Sequence, residues 1–123
     1  MMLSSTPIFT VRDVRASLAY YRDRLGFDVA FEYGAPVSYA GVCAGDVSLH
    51  LISSSLTPRE PGQGAVAIDV DDVDAIHAEL LARGAKVTKA PANYDYGMRT
   101  FDVADLDGNM LFFGMETPTK RGQ

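Results

Sequence analysis

The tetrapeptide "VRDV" at residues 11–14 returns as "VDDV" at residues 70–73, an offset of 59 in a chain of 123 residues. A unit that occurs twice in so short a chain has to fold the same way twice, and each copy is too small to bury a core alone. Each tetrapeptide opens the same kind of segment. "RASLAYYRDRLG" puts Val14, Leu18, Tyr21 and Leu25 on one helical face, and "DAIHAELLARG" does so with Val73, Ile76, His77 and Leu80. Asp13 and Asp72 stand where an N-cap is wanted, and Gly26 and Gly84 where a helix stops in the left-handed conformation.

Strands surround each helix. "PIFTV" and "AVAIDV" precede the two helices, and "FDVAFEY" and "AKV" follow them. Each half closes with a hairpin: residues 37–43 turn at Ala44-Gly45-Asp46 into "VSLHLI", and residues 99–104 turn at "DLDGN" into "MLFFG". The order is β-α-β-β-β twice, an α+β fold. The chain reads as one domain over residues 1–123. Its first module spans about 6–53, an exposed Ser/Pro/Gly-rich linker 53–63, and its second module about 64–115. Two such units side by side, helices outside, form a curved mixed sheet around a groove. Alternation turns Phe9, Val11, Val66, Ile68 and Val70 toward the helices. It leaves Thr6, Ile8, Thr10, Ser48, His50 and Ile52 of the first half on the groove face, with Ala65, Ala67, Asp69, Met110 and Phe112 of the second.

The charge balance removes several classes of partner. With 16 acidic against 11 basic residues the net charge is −5, and no basic run exceeds the pair Lys120-Arg121. Such a field repels nucleic acid and anionic membrane. Cys43 is the single cysteine, so no internal disulfide forms. No apolar run approaches the roughly 20 residues of a membrane-spanning helix, and "MMLSSTP" lacks the pattern of a signal peptide. The expected location is the cytoplasm.

"FTVRDVRASLAYYRDRLGF", "YAGVCAGDVSLHL" and "YGMRTFDVADLDGNMLFFG" resemble the glyoxalase, bleomycin-resistance and extradiol-dioxygenase superfamily, the vicinal oxygen chelate proteins. The match runs from about Thr6 to Met115. Metal-dependent members are similar in drawing four ligands from the first and last strands of the two modules. Carried over by position, these sites are Thr6, His50, Ala65 and Phe112, of which only His50 can bind a metal. Asp69 and Ser48 lie on the groove face, but roughly 6.5 Å along a strand from the ligand positions. The resemblance therefore implies no metal and no cofactor, and it points to the metal-free members, dimers similar to bleomycin-resistance proteins that sequester a natural product unchanged.

The candidate ligand-binding residues follow. His50 hydrogen-bonds a ligand, or else is satisfied by a neighbouring hydroxyl or carbonyl; no carboxylate or nucleophile is tied to it by spacing, and no catalytic residue is assigned. In the bleomycin-resistance pattern the position of Tyr96, in "NYDYGMR", is aromatic and closes the cleft, and Tyr39 falls where a second aromatic lines its wall. Phe112, Met110 and Ile52 supply apolar surface and Met98 a deformable contact. Arg99 meets an anionic or carbonyl-rich ligand, or forms a salt bridge with Asp102 or a partner chain. His77 and Cys43 read as packing residues. The expected function is a metal-independent binding protein, not an enzyme, that as a homodimer sequesters an aromatic drug-like compound or antibiotic. The alternative is a glyoxalase-type lyase or dioxygenase with an atypical metal site.

Overall fold

The computed structural model describes residues 1–117, and Lys120 and Arg121 lie outside the described residues. The first repeat gives β1 (Ile8–Val11), α1 (Val14–Asp23), β2 (Asp28–Tyr33), β3 (Tyr39–Ala44) and β4 (Val47–Ser53). The second gives β5 (Ala65–Asp69), α2 (Val73–Ala82), β6 (Lys86–Tyr94), β7 (Met98–Ala104) and β8 (Met110–Glu116). The strands form two separate four-stranded sheets, ordered β1-β4-β3-β2 and β5-β8-β7-β6, called sheets A and B below. Both are mixed, because the first strand of each module runs parallel to the last and the others pair antiparallel.

The helices form where the repeat predicts them. Asp13 and Asp72 accept 3.0 Å hydrogen bonds from the amides of Ala16 and Ala75, and Gly26 and Gly84 take φ of 74° and 84° after the last turns. Val14, Leu18, Tyr21 and Leu25 are buried, as are Val73 and Leu80. His77 is partly buried and meets Phe101 edge-on at 5.2 Å. The two helices abut at their C-terminal ends in a reciprocal way. Arg24 Nη1 donates to the carbonyl of Arg83, and Arg83 Nη1 donates to the carbonyl of Asp23. Each guanidinium thus caps the carbonyl end of the other repeat's helix, where the helix dipole favours a cation.

Between the sheets, residues 54–64 contain one 3-10 turn, Ser54–Leu56, and the segment packs rather than dangles. Gly62 donates its amide to the carbonyl of Thr10, and a Cβ on Gly64 would press on the ring of Phe9. Thr10, read from alternation as a groove residue, is consequently only 5% exposed. Cys43 departs from its reading as a buried thiol: it is half-buried and pairs in register with Ser48, on the face that carries His50. The strand expected at "AKV" runs on to Tyr94. Its bulges between Val87 and Ala92 and its edge position accommodate Pro91, whose missing amide breaks no ladder there.

One buried core joins both modules, from Phe9 and Tyr21 to Phe101 and Phe113. The Tyr21 hydroxyl donates 2.9 Å to Asp105 Oδ2 inside it. Loss of solvent, reinforced by the Asp105 charge, pushes this phenol well above its ordinary range. Above pH about 10 the unfolded chain releases the Tyr21 proton while the native chain keeps it. The stabilisation is therefore complete below that pH and declines as pH rises toward the native value, by no more than about 1.4 kcal/mol per pH unit. Urea midpoints between pH 9 and 11 are expected to fall more steeply for the wild type than for Tyr21→Phe; parallel curves would contradict it.

Candidate functional site

Sheet B carries a concavity of about 400 Å³ on the face opposite α2. Its floor is set by cross-strand register, with Ala67 beside Phe112 and Phe112 beside Asp102. Met98, Thr100 and Gly114 continue it. Gly114 matters here because a Cβ would crowd Thr100 and Met98 at 3.1 and 3.2 Å, filling the hollow from below. The rim is the β6–β7 hairpin. Gly97, at φ 87°, lets the chain turn between Tyr94 and Met98, so the segment expected as a loop is a tight hairpin. Across that turn Tyr94 and Tyr96 stack with centroids 5.4 Å apart and planes 15° from parallel. Lys89 Nζ lies 5.6 Å from the centre of the Tyr94 ring. Tyr96 is 67% exposed, leaving its ring open to a ligand at the mouth.

Sheet A carries a second aromatic wall. The Tyr39 hydroxyl and His50 Nδ1 are hydrogen-bonded at 2.8 Å. Phe31 stacks on Tyr39 at 6.1 Å and meets His50 edge-to-face at 5.2 Å. The three side chains share one face because Phe31 pairs with Gly41 and Gly41 with His50. Gly41 is required: any Cβ there would run into the Phe31 ring. Sequence reasoning missed Phe31. Counting alternately from Phe27 and Val29, both on the core side, puts residue 31 inside, but a bulge between Val29 and Phe31 reverses the face.

The predicted site residues therefore fall into two groups on different sheets. Tyr39 and His50 stand together, with Ile52 beside Tyr39 in register. Tyr96, Met98 and Phe112 border the sheet-B cavity, where Tyr94, Asp69 and Asp102 join them. Met110 lies two residues from Phe112 along β8 and is not among the cavity's lining residues. Arg99 belongs to neither group. It faces α2, where its guanidinium makes a bidentate pair with Asp74 at 2.8 and 3.0 Å and holds that carboxyl below the usual range. Two of the three expected alternatives, a groove ligand and Asp102, fail because Asp102 shares the opposite face with Met98 and Thr100. Among the described residues, every side chain lining the sheet-B cavity comes from sheet B or its hairpin.

The donor set does not fit a divalent metal. Phe112 occupies the position in β8 that His50 occupies in β4, each paired with the first strand of its own module. A phenyl ring offers no lone pair, and His50 already shares Nδ1 with Tyr39. Among the described residues no three His, Cys, Asp or Glu side chains gather as a metal site would require.

Comparison with known proteins places these features in a wider group. Residues 5–113 match the Glyoxalase/Bleomycin resistance protein/Dioxygenase superfamily. A member of that superfamily from Sphaerobacter thermophilus is similar in structure with a TM-score of 0.80 at 25% identity, covering 94% of this chain and 98% of its own. The bleomycin-binding protein of Streptomyces verticillus, solved with copper(II)-bleomycin, gives 0.76 at 28% identity over 98% of each chain. TnmS3, an antibiotic-binding protein from a Streptomyces species, gives 0.75 at 28% identity, covering 95% of this chain and 99% of its own. No curated protein matches the chain.

Proposed function

This chain belongs to the Glyoxalase/Bleomycin resistance protein/Dioxygenase superfamily, and from that premise we propose that it binds an aromatic, drug-like natural product and sequesters it without chemical change or metal. The observation that carries this reading is the sheet-B cavity, with Phe112 and Met98 in its floor and the stacked pair Tyr94 and Tyr96 on its rim. A surface of this kind accepts a flat ring system by stacking and apolar contact. Antibiotic-binding relatives at 28% identity over nearly the whole chain support the class of ligand.

The open side of each wall supports a homodimer. Within one chain the Phe31–Tyr39–His50 wall and the sheet-B cavity lie on different sheets, so each is half a cleft. A second copy related by a twofold axis brings sheet A of one chain over sheet B of the other and closes two equal grooves.

Native mass spectrometry with metal-free bleomycin, and with hits from a thermal-shift screen of aromatic antibiotics, tests this reading. The expected species is a dimer carrying intact ligand, with affinity unaffected by a chelator. Tyr96→Ala is expected to weaken binding by about 1–3 kcal/mol, the scale of a packed aromatic anchor. Its urea midpoint should stay at the wild-type value, since its ring touches little besides Tyr94. A converted ligand, or binding that requires added metal, would mark the chain as an enzyme of the superfamily instead.

A further inference from the structure

Resting on the reading of the concave faces as ligand walls, we propose that Tyr39 is a positioning residue. It fixes His50 as the Nε2–H tautomer, so that this wall presents a hydrogen-bond donor and selects planar aromatic ligands carrying a carbonyl or quinone oxygen. The 2.8 Å contact between the Tyr39 hydroxyl and His50 Nδ1 can run in either sense. A phenol is a far stronger acid than a neutral imidazole N–H, which makes the phenolic O–H the donor and Nδ1 the acceptor. In neutral histidine the hydrogen bond made by one ring nitrogen sets the state of the other, so the proton sits on Nε2.

The surroundings keep the ring in that pose. His50 stands nearly perpendicular to both neighbours, at 89° to Phe31 and 77° to Tyr39, with centroids 5.2 and 5.3 Å away. Phe31 can lie there only because Gly41 has no side chain beneath it. A ring flip would leave the imidazole plane between the same neighbours but put Cδ2–H where Nδ1 stands, and so lose the Tyr39 bond. Nε2 has no hydrogen-bond partner among the described residues, while the ring itself is half-buried on the face it shares with Phe31 and Tyr39. A donor left unpaired in a cleft discriminates against ligands that offer only C–H or N–H at that point, since burying it without an acceptor costs free energy.

Long-range proton–nitrogen NMR of the uniformly ¹⁵N-labelled protein at mildly alkaline pH reads the tautomer directly. The chain has two histidines, and the signals absent from His50→Gln identify those of His50. The expected wild-type spectrum has a pyridine-like Nδ1 and a protonated Nε2, and in Tyr39→Phe the two shifts move toward each other as the tautomers mix. A proton on Nδ1 in the wild type, or identical spectra for the two proteins, would overturn the lock. Affinity for 9-fluorenone against fluorene, which differ by one carbonyl, then tests selectivity. The wild type is expected to prefer fluorenone about two- to tenfold, the range one net hydrogen bond supplies, and Tyr39→Phe to lose much of that preference. Equal affinities would overturn the ligand class, and no binding by either compound would reject the drug-binding reading beneath it, while the spectrum still decides the lock by itself.

Discussion

Asp105→Ala is expected to lower the unfolding free energy by about 3–5 kcal/mol, the range for leaving several buried polar groups without partners. Asp105 is 2% exposed, and its carboxylate accepts from five donors. Oδ1 takes the amides of Asp107, Gly108 and Asn109 at 2.9 to 3.0 Å, which shapes the turn into β8. Oδ2 takes the Tyr21 hydroxyl of α1 and the Asn109 amide at 2.9 and 3.0 Å, which ties that turn to the other module. Removing the carboxylate takes the partner from the Tyr21 hydroxyl and the Asn109 backbone amide and one of two partners from Asn109 Nδ2 and the Gly108 amide, against a total stability that for a domain of this kind is about 5–15 kcal/mol. Urea unfolding followed by circular dichroism measures the loss. The comparison is Asp107→Ala, whose side chain is 7% exposed but which loses contacts to Arg12 alone, its guanidinium and its backbone amide, and is expected to cost about 1–2 kcal/mol. Should the alanine variant fail to fold, Asp105→Asn keeps one acceptor oxygen and is expected to fall between the two. Equal costs at positions 105 and 107 would show that the turn does not depend on the buried carboxylate.

The difference between what was legible in the sequence and what was not follows the range of the interactions concerned. The caps at Asp13 and Asp72, the left-handed glycines and the face of His50 all depend on residues within a few positions of one another. A repeat seen twice reinforced each of them. "DLDGN" was legible as a turn, but the partners of Asp105 and Asn109 in α1 and β1 are 84 and 99 residues away and leave no periodic trace. The site shows the same division. Alternation put Phe112 on the groove face, while Phe31 was lost to a single bulge and Tyr94 to a strand that runs past Pro91. Arg99 was read as meeting a ligand, Asp102 or a partner chain because Asp74, in the first turn of the helix of its own module, lies 25 residues away, where no spacing rule reaches.

Gly62→Ala is expected to destabilise the protein by about 2–5 kcal/mol, the sum of a left-handed backbone penalty and an overlap that neighbours cannot relieve. Gly62 has φ of 82°, and an added Cβ would run into the backbone carbonyl of Asp107. Its amide donates to Thr10, so the chain cannot back away without breaking that bond. Two residues on, the amide of Gly64 donates 2.8 Å to Asn109 Oδ1, and Asn109 Nδ2 donates 3.1 Å to the same Thr10 carbonyl. The segment read from its Ser, Pro and Gly content as an exposed linker is therefore pinned between the edge of β1 and the "DLDGN" turn. Gly45→Ala supplies the control. Gly45 also has positive φ, 57°, yet a Cβ there meets nothing within 4 Å, so it isolates the backbone penalty at about 1–2 kcal/mol. If chemical denaturation gives Gly62→Ala and Gly45→Ala the same cost, the segment has room to move and holds the modules together less tightly than this packing requires. A clear excess at position 62 would establish that the two halves of the repeat are joined by the packed segment as well as by their shared core.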